Sequence, residues 1–589
     1  MSAVVHDVVV VGAGVAGALT ADVLARAGLR VLILDAGTGD ELRPEGWRDA
    51  VTRMHGALMK VPNAPFAKNR AVPSPDLAEV FLGLEGYFAQ RGPLPFASDY
   101  LRATGGTTLH WLGSCPRMLP SDFAMRSRFG VGVDWPLAYD DLLPWYAAAE
   151  RSLGVSGDVA SQQRDGVTFE DGYVYPMRAI PQSWLDQRIA TAVASVTLDV
   201  DGEPRPLALV STPQARNGVP DPAYDRGRSY LPVGAGDGSR RGERCVGSAS
   251  CVPICPVEAR YSAARTLRRL PARAEIRARS VATRVEHDPE TGRVTGVRVV
   301  AYGPDGEAAG ESVARGKAYV LACNAVENAT LLLASGLCAT SGELGRNLMD
   351  HPYLLACALA REDLGPFRGP SSTSNIAGIR DGAFRARAAA SLIEVENWGW
   401  HVATGAPHTQ VEALIARGLH GRDLRARVAA ELSRQLGLGF LVEQLPEAGN
   451  RVAVDPSLRT PLGGHRPVLH YDLSPYTRAG LALAARAART IFGAVGAADT
   501  TAWRKGDPRY VEHEGEGFVY RGAGHLAGTH RMGRSPRDSV VDANQRAWDH
   551  DNLYVVGAGS MPTMGTANPT LTLAALCLRT ADHLARGLA

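Results

Sequence analysis

The chain has 589 residues, more than one hydrophobic core usually supports, so two domains or one elaborated domain are expected. Lys plus Arg number 63 and Asp plus Glu 61, a formal net charge of +2. This balance gives no electrostatic reason to expect nucleic acid or anionic lipid as a partner. No apolar run reaches the roughly 18–20 residues of a membrane span, and no signal-peptide pattern precedes the first strand. The default expectation is a cytoplasmic protein, and export or membrane attachment through a partner is compatible with the sequence.

The N-terminal segment follows the order strand, glycine turn, helix, strand. Val8 to Val11 is a β-branched run typical of a strand buried in a parallel sheet. The turn Gly12-Ala13-Gly14-Val15-Ala16-Gly17 follows, a helix is expected from Ala16 to Ala27, and the next strand ends in Asp35. In this dinucleotide fingerprint the first glycine permits the turn, the second admits a pyrophosphate and the third lets helix and strand pack closely. The terminal acid suits an adenosine ribose. The pattern itself does not separate NAD from FAD.

A second glycine-rich loop is Gly105-Gly106-Thr107-Thr108-Leu109-His110-Trp111. Two glycines and two small hydroxyls suit a loop packed against a flat or phosphorylated ligand. A plain turn into a strand is the alternative on these residues alone.

The middle of the chain carries fewer signals. A buried strand is expected over Ala318 to Cys323 and a helix from Ala325 to Ala334. Residues 353–519 alternate strand-like runs with amphipathic helical patterns, such as Leu424 to Leu436 and Arg478 to Ile491. This region has no chemical motif and is the candidate for the part of the chain that faces the substrate.

The C-terminal part has three motif-bearing segments. One places His525 and His530 among glycines within Gly524–Gly533. A strand then leads into Gly557-Ala558-Gly559, and Asn568-Pro569-Thr570 opens a helix expected to reach about Arg586. Polar side chains and amides at a helix start suit contact with a negative group.

The eight cysteines show no disulfide framework. Five are expected to be small buried hydrophobic residues: Cys115, Cys323, Cys338, Cys357 and Cys577. The other three form a Cys245-x5-Cys251-x3-Cys255 cluster. Three thiolates suit iron–sulfur ligation, while zinc would need a fourth ligand that the nearby sequence lacks. A loop of buried thiols without metal is the other interpretation.

Together these motifs resemble the glucose–methanol–choline (GMC) oxidoreductase family. The fingerprint, the second glycine loop, the string Gly345-Arg346-Asn347-Leu348-Met349-Asp350-His351-Pro352 and the segments around His525 and Asn568 occur in the family's order. The chain looks most similar to the bacterial sugar and polyol branch, which includes members resembling gluconate dehydrogenase and pyranose oxidase and members that oxidise glycosides or aminoglycosides.

The resemblance implies an α/β fold with FAD, not NAD, as the cofactor. A Rossmann-like FAD-binding domain would be discontinuous, over 1–115, 240–352 and 520–589. Residues 116–239 and 353–519 would form an α+β substrate-binding domain with an antiparallel sheet. The implied FAD-contacting residues are Gly12, Gly14, Ala16, Gly17, Asp35, Gly105, Gly106, Thr107, Thr108, His110, Gly557, Ala558, Asn568, Pro569 and Thr570.

The implied activity is oxidation of an alcohol group of a sugar, polyol, glycoside or aminoglycoside to a carbonyl. By family position His525 is the base and Asn568 orients the hydroxyl; a neutral imidazole suits proton removal near neutral pH. His530 is the rival base. His110-Trp111 resembles a dipeptide that carries a covalent flavin bond in pyranose oxidases, although a non-covalent contact is the preferred interpretation. His351 is expected to be structural.

The sequence leaves alternatives open for the electron acceptor and for the class of reaction. The cysteine segment resembles one in sugar dehydrogenases that pass electrons to a cytochrome subunit, where it can hold a three-iron cluster; Cys245, Cys251 and Cys255 would be its ligands. Without a cluster, flavin could pass electrons to oxygen. A lyase of the same fold without net redox, and an electron-relay subunit, are the alternatives to an alcohol oxidoreductase.

Overall fold

The computed structural model describes residues 5–56, 65–81, 83–228, 230–232, 242–247, 251, 254–397 and 408–588. The strands in chain order are β1 Val5–Val11, β2 Val31–Leu34, β3 Ala89–Gln90, β4 Ser156–Gly157, β5 Met177–Arg178, β6 Thr197–Val200, β7 Glu203–Pro206, β8 Leu209–Ser211, β9 Ala274–Arg277, β10 Ser280–His287, β11 Val294–Tyr302, β12 Ala308–Leu321, β13 Pro352–Ala360, β14 Ser374–Ile376, β15 Ser391–Glu396, β16 Gln435–Val442, β17 Arg451–Arg459, β18 His465–His470, β19 Ala497–Asp499, β20 Tyr510–His513, β21 Glu516–Gly522 and β22 Leu553–Val555.

The helices are interspersed with these strands along the chain. In chain order they are α1 Val15–Arg26, α2 Pro44–Gly56, α3 Leu77–Phe81, α4 Met125–Phe129, α5 Leu143–Leu153, α6 Val159–Arg164, α7 Trp184–Val193, α8 Ala263–Leu267, α9 Ala325–Ser335, α10 His408–Ala416, α11 Gly421–Leu432, α12 Pro475–Val495 and α13 Thr570–Leu588. Within the described ranges, none of these helices combines the length and apolar character that crossing a membrane requires.

The first large sheet is parallel at its centre. β1 pairs in parallel with β2 on one side and β12 on the other, β9 extends the sheet beyond β2, and β22 pairs with β12. Val8, Val9 and Val10 are fully buried because both faces of the sheet are covered. α1 and α13 pack together, and their side chains share a core cluster with Val8 and Val10. The N-terminal part of β12 continues as an antiparallel extension with β11 and β10.

The second large sheet is antiparallel and has the order β20, β21, β13, β16, β15, β14, β8, with β19 also paired to β13. α12 packs against β13 and β16. Every residue of β15 and β16 is buried, as expected for strands covered on both faces. The predicted α/β class, with a Rossmann-like parallel sheet and a separate antiparallel sheet, is confirmed.

One predicted element is wrong in part. The helical pattern from Leu424 to Leu436 includes α11, but that helix ends at Leu432 and β16 begins at Gln435. The apolar end of the pattern belongs to a buried central strand, which an apolar run of this length does not distinguish from a helix.

Candidate active site

A cavity of about 480 Å³ lies where the glycine turn after β1, the start of α13 and the antiparallel sheet meet. Two helix starts border it, since Gly14 caps α1 and Thr570 begins α13. Helix N-termini present free N–H groups and favour a negative group such as a pyrophosphate. The cavity brings together most of the predicted site residues: Gly12, Gly14, Ala16, Asp35, Gly106, Thr107, Thr108, His110, His525, Gly557, Ala558, Asn568, Pro569 and Thr570.

The three fingerprint glycines have distinct geometric reasons. Gly12 has φ +102°, and a Cβ there would lie 2.8 Å from the Ala322 carbonyl oxygen. A Cβ on Gly17, which does not line the cavity, would lie 1.9 Å from the Gly12 carbonyl oxygen, so α1 packs closely on the turn. A Cβ on Gly14 would meet nothing within 4 Å. Gly14 therefore leaves open the space beside the start of α1, as the approach of a pyrophosphate requires.

Asp35 lies at the end of β2, and its carboxylate holds the surrounding loops together. Its oxygens accept hydrogen bonds from the Ala13 and Gly37 backbone N–H groups, both at 3.0 Å, and from the Thr104 hydroxyl at 2.7 Å. The residue is buried and lines the cavity. The fingerprint acid thus fixes the glycine turn and faces the site that the nucleotide half of a dinucleotide would use.

The second glycine loop is joined to the first. The Gly105 N–H donates to the Ala13 carbonyl at 3.1 Å, and a Cβ on Gly106 would lie 3.3 Å from the Gly14 Cα. The Thr108 hydroxyl accepts a hydrogen bond from the Ala263 N–H at 2.9 Å. Gly105 stands behind this loop and does not line the cavity, whereas Gly106, Thr107, Thr108, His110 and Trp111 do.

At the other end of the cavity, two histidines form a directed hydrogen-bond chain. The His351 Nε2 lies 3.0 Å from the Gly565 carbonyl oxygen, and its Nδ1 lies 2.9 Å from the His525 Nδ1. Because a carbonyl only accepts, His351 Nε2 must carry the proton, and the neutral ring then accepts at Nδ1. His525 therefore donates from Nδ1, which leaves its Nε2 unprotonated as an acceptor. His525 lines the cavity, while His351 is fully buried behind it.

The backbone around this pair is held by one carboxylate. Asp350 Oδ1 accepts from the backbone N–H of His351 at 2.6 Å and of His525 at 3.0 Å. Burial raises the pKa of the Asp350 carboxyl to about 6, against these hydrogen bonds. Burial also lowers the pKa of His351 to about 4 and the pKa of His525 well below its ordinary value. Both imidazoles are accordingly neutral at pH 7, as the hydrogen-bond chain requires.

Asn568 lies immediately before α13 and is buried, yet it lines the cavity. Its Oδ1 has no hydrogen-bond partner among the described residues. A buried amide oxygen without a partner is costly in an isolated protein and indicates a position where a ligand group is expected.

His530 occupies a different position from His525. It is fully buried, and its Nε2 lies 3.3 Å from the Asn328 Nδ2. A Cβ on Gly559 would lie 2.1 Å from the His530 Nε2. Burial lowers the pKa of His530 to about 3. It is packed beneath the Gly559 turn and does not line the cavity.

The comparisons with known proteins agree with this geometry. Models described as GMC oxidoreductase match residues 234–353 and 446–577, and one described as FAD binding domain matches residues 5–48. The chain is 30% identical to the fructose dehydrogenase large subunit of Gluconobacter japonicus, over 99% of this chain and 98% of that protein. The chain belongs to the GMC oxidoreductase family.

Other members are more distant. The 2-methyl-1,2-propanediol dehydrogenase of Mycolicibacterium austroafricanum is 27% identical, over 83% of this chain and 82% of that protein. The paromamine 6'-oxidase of Streptomyces fradiae is 25% identical, over 99% and 92%. The crystal structure of pyridoxine 4-oxidase from Mesorbium loti shares the fold with a TM-score of 0.60 at 20% identity, covering 98% of this chain and 99% of that one. This GMC oxidoreductase is therefore an FAD-dependent enzyme that oxidises CH–OH donors.

The cavity fits FAD in its chemistry. Two helix starts and the open face of Gly14 suit the pyrophosphate, and Asp35 suits the ribose. The second glycine loop and Gly557-Ala558 line the same cavity as His525 and Asn568. Apart from Gly17 and Gly105, the residues expected from the sequence to bind flavin thus share one cavity with those expected to act on the alcohol.

The cysteine segment lies behind the second glycine loop. The Arg260 guanidinium donates to the carbonyl oxygens of Leu109, Trp111 and Cys251, so it joins the two segments. The described residues, which include Cys245, Cys251 and Cys255 but not 248–250 and 252–253, contain no group of three or more His, Cys, Asp or Glu side chains placed to hold a metal ion.

Sequence reasoning missed three residues at the reactive end. His351 and Asp350 belong to a motif quoted for its family resemblance, and their contacts with His525 join residues 174 and 175 positions apart in the sequence. Glu394, on β15, lines the cavity beside Asn568. The signal available for Glu394 was an acid within an apolar run, Ser391 to Val395, which is unusual for a buried strand.

Proposed function

We propose that His525 removes the hydroxyl proton of a sugar or polyol while Asn568 orients the alcohol. The observation that carries the proposal is the directed chain from the Gly565 carbonyl through His351 to His525 Nδ1, which leaves Nε2 as the acceptor. Such a base works when it is neutral and within hydrogen-bond reach of the hydroxyl. Bound FAD supplies the acceptor for the hydride that leaves the carbon.

Asn568 has the chemistry for positioning and lacks that for proton removal. An amide donates and accepts hydrogen bonds, but it does not act as a base near neutral pH. Its unpaired Oδ1 and its place on the cavity wall support a contact with the substrate. Holding the carbon so that its hydrogen faces the flavin lowers the barrier through orientation, which can be worth several powers of ten in rate.

A carbohydrate is the proposed substrate class. The similar proteins named for fructose and for paromamine cover nearly the whole chain, which supports a sugar or amino sugar over a simple alcohol. A reaction cavity lined by Asp99, Glu394, Asn568 and Arg521 also suits a ligand with several hydroxyl or amino groups.

We propose non-covalent flavin binding, with His110 as a contact residue. His110 is buried, lines the cavity and packs edge-on against Phe66 at 6.4 Å between ring centroids. Acid precipitation tests this directly: free FAD in the supernatant is expected, and flavin that stays with the protein pellet would establish a covalent bond.

We propose that the electron acceptor depends on whether the cysteine segment holds an iron–sulfur cluster. The similarity to a protein called a large subunit supports a partner that accepts electrons, and the three-iron cluster at Cys245, Cys251 and Cys255 stays a prediction. Iron and sulfide analysis of protein purified without air decides it. Iron-free protein whose reduced flavin recolours promptly in air would instead be an oxidase.

The domain division is proposed from the two large sheets. The FAD-binding domain would take residues 1–115, 240–352 and 520–589, and the substrate domain 116–239 and 353–519. β1, β12 and β22 support the first set, while β14, β15 and β16 support the second. The junction at 239–240 lies outside the described residues, and β21 crosses residue 520.

Replacement of His525 tests the proposal. His525→Ala is expected to keep FAD and to lose about 10²- to 10⁴-fold in the anaerobic rate of flavin reduction. Near-normal reduction would overturn the assignment of the base. Flavin that no alcohol reduces even in the wild-type protein, but that dithionite reduces, would favour the lyase or relay alternatives.

A further inference from the structure

Two glutamates lie on one face of β15, where it borders the cavity. Glu394 and Glu396 are two positions apart, so both side chains leave the same face of the strand. Only 3% of Glu394 and 1% of Glu396 is exposed. The neighbouring strand has a glycine opposite Glu394: a Cβ on Gly439 would lie 1.8 Å from the Tyr353 hydroxyl and 2.7 Å from Glu396 Oε1. β16 thus leaves room for this polar cluster inside the sheet.

The two carboxyls differ in what they contact. Glu396 accepts a hydrogen bond from the Tyr353 hydroxyl and does not line the cavity. Glu394 lines the cavity beside Asn568, whose amide acts to lower the pKa of the Glu394 carboxyl. Its Oε1 has no hydrogen-bond partner among the described residues. Glu394 therefore presents one unsatisfied carboxyl oxygen beside the residue proposed to orient the alcohol.

The charges around Glu394 are unequal. Asp99 also lines the cavity, and Glu396 adds a second carboxyl next to Glu394. Among the described residues, Arg521 is the cation that acts on all three carboxyls. Burial raises the pKa of Asp99 to about 7, of Glu394 to about 7 and of Glu396 to about 8. A second cation beside Glu394 would stabilise the charged carboxylate and satisfy its open oxygen.

We propose that Glu394 forms a subsite for a protonated amine of the substrate, so that the enzyme prefers an amino sugar or amino alcohol to its neutral counterpart. The inference rests on the proposed function, because the amine must sit where Asn568 holds the reacting hydroxyl. A neutral hydroxyl could donate to Glu394 as well, but it would leave the excess of carboxyls over cations unchanged. The ammonium group supplies both the hydrogen bond and the charge.

Matched substrate pairs test the subsite. Glucosamine with glucose, and 2-amino-1,3-propanediol with glycerol, are titrated anaerobically into the FAD-loaded enzyme, and flavin spectral shifts report binding while bleaching reports reduction. The wild-type enzyme is expected to bind the amine of at least one pair roughly 10- to 100-fold more tightly than its neutral partner. Glu394→Gln keeps an oxygen beside Asn568 but removes the charge, and it should lower that ratio at least tenfold.

Glu396→Gln is the matched control, since it removes a carboxylate on the same strand face outside the cavity lining. It is expected to keep more of the preference for the amine than Glu394→Gln does, because Glu396 does not reach the cavity. Flavin content and melting temperature check that each variant is folded, and Glu394→Asp, which keeps the charge, should retain more of the preference than Glu394→Gln. Equal binding of amine and neutral partner by the wild type, or equal loss for both in Glu394→Gln, would overturn the amine subsite.

The two proposals fail in different ways. If neutral sugars bleach the flavin and amines bind no better, the amine subsite fails and the alcohol oxidation stands. If amines bind tightly in a Glu394-dependent manner but neither pair bleaches the flavin, the subsite stands and the search for the oxidised group continues with larger amino sugars.

Discussion

Replacing His351 tests the hydrogen-bond chain that prepares His525. In His351→Leu the His525 Nδ1–H loses its acceptor at 2.9 Å, and the carbonyl of Gly565 loses its donor at 3.0 Å. The proton of His525 can then move to Nε2, which is the nitrogen proposed to receive the hydroxyl proton. The substitution leaves the base in place but removes what selects its tautomer.

The size of the effect follows from the lost hydrogen bond. Leaving a buried donor without a partner costs about 1–3 kcal/mol. If that energy no longer favours the reactive tautomer, its population falls by about 5- to 150-fold, since 1.4 kcal/mol corresponds to a factor of ten. His351→Leu should thus lie between the wild type and His525→Ala in the rate of flavin reduction.

The assay is anaerobic stopped-flow reduction of the flavin over a range of concentrations of the alcohol substrate. The limiting rate constant should fall in His351→Leu. The dissociation constant of the alcohol substrate should stay within about threefold of the wild-type value, because His351 lies behind the cavity wall. His351→Gln offers an amide that can accept from His525 and donate to Gly565, so it should recover a substantial part of the rate. A Leu variant that reduces at the wild-type rate, or a Gln variant as slow as the Leu variant, would refute the reasoning.

Four further outcomes are expected. Gly14→Val should fold but lose FAD, because its side chain would project into open cavity space. Gly17→Ala should lose both stability and FAD, because its Cβ would lie 1.9 Å from a carbonyl oxygen. Flavin content and melting temperature distinguish the two variants. Burial lowers the pKa of His525, so the residue stays neutral in mild acid. The rate at which a neutral sugar reduces the flavin at pH 6 should exceed one quarter of the rate at pH 8, the fraction that an ordinary imidazole of pKa 6.5 would leave. A fall to that fraction would contradict the burial effect. Burial raises the folded-state pKa of Glu394 to about 7, so its contribution to stability is lost as the pH rises towards and through 7. Glu394→Gln should therefore increase the free energy of unfolding more at pH 8 than at pH 5, by about 2 kcal/mol. Equal increases at the two pH values in denaturant unfolding would argue against it. Cys251→Ser should abolish iron if the wild type contains it, and unchanged iron content would remove Cys251 as a ligand.

The nucleotide end of the site could be predicted because its determinants are local. A buried β-branched run, a glycine turn and an acid at the next strand end fall within one stretch, and each of these residues has a single geometric reason. The helix predicted from Ala16 to Ala27 is α1, and the helix predicted from Ala325 to Ala334 is α9, with bounds shifted by a residue. Short-range periodicity and capping decide such elements.

The reactive end could not be read in the same way. His351 and His525 meet because β13 pairs with β21, and the order of strands in an antiparallel sheet does not follow from local pattern. Glu394 was hidden in an apolar run, since β15 is buried on both faces and gives no alternation. The end of the Leu424 to Leu436 pattern was misassigned for the same reason, because β16 is a buried central strand.

The central claim is that this GMC oxidoreductase takes a proton from a carbohydrate hydroxyl through His525. The most direct measurement is the visible spectrum of the oxygen-free, FAD-loaded protein during addition of sugars, polyols and amino sugars, run in parallel for the wild type and His525→Ala. Bleaching of the oxidised flavin bands by at least one donor in the wild type, slowed about 100-fold or more in the variant, is the expected result. Bleaching at equal rates in both proteins would contradict the account.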